Sequence, residues 1–348
     1  MAPFILQLFA TPPAIQIFLI LVNLTYFNTI VLTIFSEGYT GLLVSTLLIG
    51  IGNGCTEAAC NPMIADANDG KRMNTLLNRF HMWFPGGIVL GSLISLLMTS
   101  LDLGWQAQIW IIMIPTLVYV YLFFGQEFPK PKMEKVASIG ENFKAMLSPL
   151  YLFILGCMAL TAISEFGPQQ WTSLILSNSG AHPMVILALI TGLMAIGRYF
   201  GGEIVSKFDQ TGVLLGSAIL TAIGIFLFST QTGAMVYVAA IFFALGVCYF
   251  WPNMIGFVAE KIPLSGALGM SIVGGMGMFS SSIFQTIIGG WIDSSTAEQA
   301  ALGLTGTSLD LAAGQQTLTN MVSFPVILIV LFTILYFWQR NVKSTEVV

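Results

Sequence analysis

Two glutamates stand deep inside apolar stretches of this chain, where a carboxyl group is useful for holding protons or polar molecules. Glu57 lies about nine residues from the basic end of its stretch, ~14 Å deep at 1.5 Å per residue. Gly50, Asn53, Gly54, Glu57 and Asn61 recur at the i, i+3, i+4, i+7 and i+11 spacing that places them on one helix face. A charge at the centre of a spanning helix costs about 2.5–3.5 kcal/mol, so such residues face a bundle interior or a wet cavity. The chemistry implied is a proton-binding carboxyl, whose proton affinity rises when desolvated and falls when water or solute reaches it. The alternative is a glutamate hydrogen-bonded to Asn53 or Asn61 that only holds helices together.

Thr161, Glu165, Gln169 and Thr172 form a second polar stripe, with Trp171 beside it. Amides and carboxylates bond hydroxyls, and an indole face stacks on a pyranose, so this stripe suits a sugar. Trp171 fits equally well as an interfacial anchor. Trp251 and Asn253 are the matching cavity candidates further along, with lipid-facing packing as the alternative for Trp251. His81, three residues after Asn78, carries an imidazole that suits proton relay or solute bonding, or else satisfies a helix end. Arg198, with Glu203 nearby and Asp209 beyond, is expected to form a charge cluster that steadies a cytoplasmic gate. Simple anchoring by positive charge is the competing reading. Cys55, Cys60, Cys157 and Cys248 lack metal-ligand spacing and are expected to pack. No phosphate-cradling loop, metal cluster or soluble catalytic domain is visible, so neither an enzyme nor an ATP-driven pump is expected, and no cofactor.

The elements that carry these residues follow from composition. Charged residues are 8% and hydrophobic residues 56% of the chain, against about 25% charged in a soluble domain. Ten apolar stretches occur at roughly 14–35, 40–65, 79–100, 105–125, 149–175, 184–206, 212–230, 234–259, 266–292 and 318–338. Each is long enough as a helix to cross a ~30 Å hydrocarbon core, and too long for a barrel strand. The 12 lysines and arginines fall in or beside alternate gaps only. Basic residues resist translocation, so those gaps, and the C-terminus with Arg340 and Lys343, are expected on the cytoplasmic side. The fold class is therefore an all-α polytopic membrane protein with ten transmembrane helices, four before and six after the long basic gap.

That gap, 126–148, carries Val136, Ile139, Phe143, Met146 and Leu147 at near-helical spacing and predicts a surface helix linking two bundles. The organisation expected is an incomplete N-terminal bundle at 1–125, a cytoplasmic linker at 126–148 and a six-helix bundle with a short tail at 149–348. A weak repeat relates the halves. Asn61-Pro62-Met63-Ile64 resembles Trp251-Pro252-Asn253-Met254-Ile255, and Pro85-Gly86-Gly87 with Gly91 resembles Gly274-Gly275 with Gly277. Parallel six-helix repeats organise one large transporter architecture. On this alignment the front half lacks counterparts of the stretches at 149–175 and 184–206. The repeat therefore predicts that about two helices precede Met1 in the gene, and that this chain alone is a fragment without uphill transport.

The architecture resembles the major facilitator superfamily over essentially the whole chain. Within it, Glu57-Ala58-Ala59-Cys60-Asn61-Pro62 followed by Leu77-Asn78-Arg79-Phe80-His81 resembles the fucose–proton symporters and their sugar-transporting relatives. Gly197-Arg198-Tyr199-Phe200-Gly201-Gly202 resembles the basic loop motif of the superfamily's second half. Pro85-Gly86 stands where that family more often has phenylalanine-glycine, and the symporters' first-helix carboxylate has no position here. The resemblance implies a secondary active transporter of a small polar, sugar-like solute, working by alternating access with proton symport. Glu57 and His81 would couple the proton. Asn53, Asn61, Asn78, Glu165, Gln169, Trp171, Trp251 and Asn253 would bind solute. The protein is expected to be a monomer in the cell (inner or plasma) membrane, with no nucleic-acid partner. Efflux of lipophilic drugs or metabolites by antiport is the rival reading, kept open by 26 phenylalanines and 17 methionines.

The charge pattern makes a direct prediction. Single cysteines at Ser138 and Ser344 are labelled by an impermeant maleimide only from the cytoplasmic side, and one at Ser308 only from outside. External labelling at Ser138 would contradict the helix count.

Overall fold

Proline decides where the long apolar helices of this protein break. The computed structural model describes residues 12–36, 38–123, 126, 139–176 and 178–345. Its helices are α1 (Pro12–Phe35), α2 (Tyr39–Ala67), α3 (Gly70–His81), α4 (Trp83–Ser100), α5 (Trp105–Trp110), α6 (Met113–Phe123) and α7 (Ile139–Met146). They continue as α8 (Pro149–Ile175), α9 (Pro183–Thr230), α10 (Met235–Val247), α11 (Phe250–Lys261), α12 (Gly266–Ala301), α13 (Gly306–Met321) and α14 (Ser323–Thr345). The breaks between α3 and α4, α5 and α6, α10 and α11, and α13 and α14 each fall about one turn before Pro85, Pro115, Pro252 and Pro325. A proline ring lacks an N–H and crowds the carbonyl four residues back, so the ladder is interrupted there.

Each broken pair runs along one apolar stretch, so the pairs count as single crossings. The 48 residues of α9 count as two. Straight, they would measure ~72 Å, more than twice the ~30 Å hydrocarbon core. The chain instead turns at Asp209, whose φ of 62° and ψ of 161° are not helical. All ten stretches expected from sequence are thus helical among the described residues, and eight helical segments meet the length and hydropathy of a membrane span, with Val22–Phe35 a shorter apolar helix. Outward-facing apolar residues such as Leu47, Leu96 and Tyr121 are exposed, as lipid contact requires. Of the linker, α7 is described and seats on the short 3-10 turn Pro263–Ser265. Val136 and Ser138 lie outside the described residues.

By internal contacts the chain forms two compact units. One contains the described residues of Met1–Asp69, Leu90–Ser148 and Val258–Ile272. Here α1 and α2 meet where Gly52 faces Thr25 and Tyr26, and Val22 and Ala59 form a small core with Tyr26, Cys55, Ala58 and Tyr119. Ser95 Oγ donates to Gln108 Oε1 at 2.6 Å and ties α4 to α5. The other unit contains Gly70–Val89, Pro149–Phe257 and the described residues of Val273–Val348. A crossing in which main chain meets main chain lies between the second limb of α9 and α10. A Cβ on Gly224 would lie 2.5 Å from the backbone nitrogen of Phe243, and one on Gly246 would meet the backbone of Thr221. Small residues allow such close approach, which gives helices in lipid their packing energy.

Because Gly224 meets main chain rather than a movable side chain, Gly224→Ala should lower stability by about 1–3 kcal/mol, in the range of overpacking. Gly216→Ala, on the same limb with nothing within 4 Å, should not. Thermal unfolding of the two variants in detergent checks this, and equal Tm values would contradict it.

Candidate functional site

Arg198 lies in the first limb of α9 and is only 2% exposed, so its guanidinium must find its partners within the protein. Nε donates to the Cys248 carbonyl at 2.7 Å, and Nη1 to the His81 carbonyl at 3.0 Å. Nη2 donates to Glu165 Oε1 at 3.3 Å. The two carbonyls share an origin. His81 is four residues before Pro85 and Cys248 four before Pro252, so neither has an i+4 N–H to accept. Arg198 supplies both missing donors and joins α3, α8 and the α10–α11 break. Tyr249 adds a hydroxyl bond to the Gly197 carbonyl at 3.1 Å, and Cys248 Sγ donates to the Met194 carbonyl at 3.4 Å.

Along α3 the contact with α9 is small and polar. Asn78 lies over Gly201 and Thr75 over Gly202, so close that a Cβ on either glycine would overlap them. Gln210 Nε2 donates to Asn74 Oδ1 at 2.8 Å, with both residues buried. Asn78 Nδ2 donates to the Asn74 carbonyl at 2.9 Å, while its Oδ1 is buried without a partner. The Arg79 guanidinium stands 4.8 Å from the centroid of the Tyr199 ring.

Aromatic rings gather about Phe166, the residue after Glu165 on α8. Phe166 meets Trp251 edge-on at 6.0 Å and Phe84 at 6.2 Å. Gly277 leaves room for the Trp251 ring, which a Cβ would approach to 2.9 Å. Trp171 Nε1 donates to Gln285 Oε1 at 2.7 Å, and Gln285 Nε2 to the Phe166 carbonyl at 3.1 Å. Gln169 Nε2 approaches Met194 Sδ at 3.6 Å. The Thr161 and Thr172 hydroxyls turn back onto their own helix. Glu165 Oε2 and Trp251 Nε1 are buried without partners, which leaves an acceptor and a donor unused in this polar region.

Several expectations change. Arg198 does not cluster with Glu203. Five residues on, Glu203 sits about 140° round the helix and is exposed, whereas Arg198 is buried and faces Glu165. Trp251 is not lipid-facing, since it is 6% exposed and packed against α8 and α12. Asn253 follows it by two residues, about 200° round α11, so it does not join the Trp251 face. Both its amide atoms are buried without partners there. In the first unit Asn61 Nδ2 donates to Glu57 Oε2 at 2.9 Å. Glu57 is half-buried, and the face above it, with Gly50, Asn53 and Gly54, is open. His81 is buried with its ring edge-on to Phe80. Asn74, Gln210, Gln285 and the two carbonyls were not singled out from sequence. The proline positions were the signal for the carbonyls.

The Major Facilitator Superfamily family model matches residues 14–285, and the chain belongs to that superfamily. It is accordingly a multi-pass membrane protein of the transporter class. No curated protein sequence matches it significantly. Its fold is similar to a crystal structure of a variant of the E. coli fucose:proton symporter, with 15% identity over 90% of this chain and 84% of that one, at a TM-score of 0.65. A second structure of a fucose symporter, in the outward conformation, gives 16% identity, 90% and 82% coverage and a TM-score of 0.65. The human organic anion transporter MFSD10 gives 15% identity, 95% and 82% coverage and a TM-score of 0.68. At these identities the likeness establishes the fold.

Proposed function

We propose that this protein is a secondary active transporter that moves a small polar solute, a sugar, by alternating access in symport with protons. The observation that carries this reading is a pair of unused buried polar atoms, an acceptor on Glu165 of α8 and a donor on Trp251 of α11. Glu165 and Gln169 face α9, while Trp171, about 200° round α8 from Gln169, bonds Gln285 of α12. A solute with several hydroxyls meets both needs and offers an apolar ring face to the aromatics. An organic anion fits less well. The buried Arg198 is charge-matched by Glu165, so an anion would bring an uncompensated charge. A purely lipophilic cargo would leave the polar atoms unsatisfied. The likeness to the fucose:proton symporter is consistent with the sugar reading.

In this account Glu57 carries the proton, with Asn61 holding its carboxylate at 2.9 Å, and His81 assists. Asn53, Asn78 and Asn253 complete the candidate polar contacts. The protein would lie as a monomer in the cell membrane, with the basic gaps and the C-terminus cytoplasmic.

The test uses the whole carrier as its gene encodes it, reconstituted in sealed proteoliposomes with an imposed pH gradient. Monosaccharides should accumulate and a protonophore should abolish the accumulation. Glu57→Gln keeps the hydrogen bonds and removes the proton cycle. It should lose uphill accumulation while retaining solute exchange. Unimpaired accumulation by Glu57→Gln would assign Glu57 to structure, and uptake of organic anions alone would overturn the sugar reading.

A further inference from the structure

We infer that Lys207 and Arg340 hold the headgroup of an anionic phospholipid, in a basic and aromatic notch between the turn of α9 and the end of α14. The inference is independent of the proposed solute and of proton coupling, and it concerns the lipid-facing surface of the second unit.

Lys207 follows the apolar stretch 184–206 of α9, and Arg340 follows the stretch 318–338 of α14. Each cation lies against a ring of its own helix. Lys207 Nζ stands 5.5 Å from the centroid of the Phe208 ring, and Arg340 Cζ 5.0 Å from that of Tyr336. Gly212, just past the turn at Asp209, brings the two pairs together. A Cβ there would lie 3.6 Å from Tyr336 Cε2 and 3.8 Å from Phe208 Cβ, so the bare glycine lets α14 rest against the turn. Two cations from distant parts of the chain thus reach one patch at the boundary of the hydrocarbon core.

Both cations are exposed, and among the described residues neither has a carboxylate partner, Glu203 and Asp209 beside Lys207 included. A ring face attracts a cation only weakly at an exposed site and leaves its N–H groups open to acceptors. A phosphodiester at the membrane boundary supplies those acceptors, to the guanidinium fork and to the ammonium together. The rings suit the rest of the molecule. Phe208 is 57% exposed, and Phe337, equally exposed, meets Tyr336 edge-on at 5.6 Å. Exposed rings beside a pair of cations match an acyl chain joined to its phosphate. A soluble anion would use the cations and leave the rings without a partner. Choline would bring a further positive charge to the patch, so a net-anionic headgroup is the better match.

The test titrates the whole carrier, in neutral detergent, with phosphatidylglycerol, with phosphatidylcholine and with inorganic phosphate. Tm is read at each step, and native mass spectrometry counts the lipid that stays bound. Phosphatidylglycerol should raise Tm saturably and remain as one molecule per chain, whereas phosphatidylcholine and inorganic phosphate should do neither. Removing both cations, in Lys207→Gln with Arg340→Gln, should raise the half-saturating concentration by about thirtyfold. Lys71→Gln with Arg72→Gln removes the same charge from exposed residues of α3 and should leave that concentration unchanged. Arg340→Gln alone should raise it by about fivefold, and decides the matter if the double variant does not fold. An equal rise in Tm with inorganic phosphate would mean an adventitious ion only and would overturn the site. Equal weakening in the α3 pair would mean general surface charge and would overturn it too, as would unchanged half-saturation in Arg340→Gln. Failure of sugar uptake would leave this result standing, and failure here would leave the transport reading intact.

Discussion

A guanidinium inside a membrane bundle must find its partners within the protein, and in the second unit each of the three guanidinium nitrogens of Arg198 has one. Inserting such a charge at mid-helix costs about 2.5–3.5 kcal/mol even with local relief. Here the relief comes from three directions: a carboxylate on α8 and two main-chain carbonyls that prolines have released from their own helices. The arrangement is reciprocal. An unpaired carbonyl in the same place is also costly, so Pro85 and Pro252 are tolerated because Arg198 is there. Kinks that would each weaken a helix become the points at which separate helices are joined.

The helices themselves were legible in the sequence. Apolar stretches bounded by basic and polar gaps marked every crossing, because lipid forces each span to satisfy its backbone internally. Even the doubled α9 followed from the pattern, with Lys207, Asp209 and Gln210 marking the turn between two apolar runs. The site was legible only in part. Glu165 and Arg198 were each visible as intramembrane or near-membrane charges, but they are 33 residues apart, and nothing local shows that they meet. Glu203 was the nearer acidic residue along the chain. Helix geometry turns it away. The carbonyl partners were least visible of all, since a main-chain acceptor has no side-chain signature. Only the rule that proline frees the carbonyl four residues back would have named His81 and Cys248.

Glycine plays the complementary part. Where charge and amide groups join α3 to α9, Gly201 and Gly202 let Asn78 and Thr75 lie against backbone. Where α9 meets α10, Gly224 and Gly246 bring main chains together without any polar bond.

The central claim is that the buried charge of Arg198 is compensated by Glu165, so the two residues act as one unit. A double-mutant cycle with Arg198→Gln and Glu165→Gln, read by denaturant unfolding in detergent, tests it most directly. Each single change strands a charge and should cost about 3–5 kcal/mol. The double change strands none, so its cost should fall short of the sum by at least about 1 kcal/mol. Strictly additive losses would contradict the account.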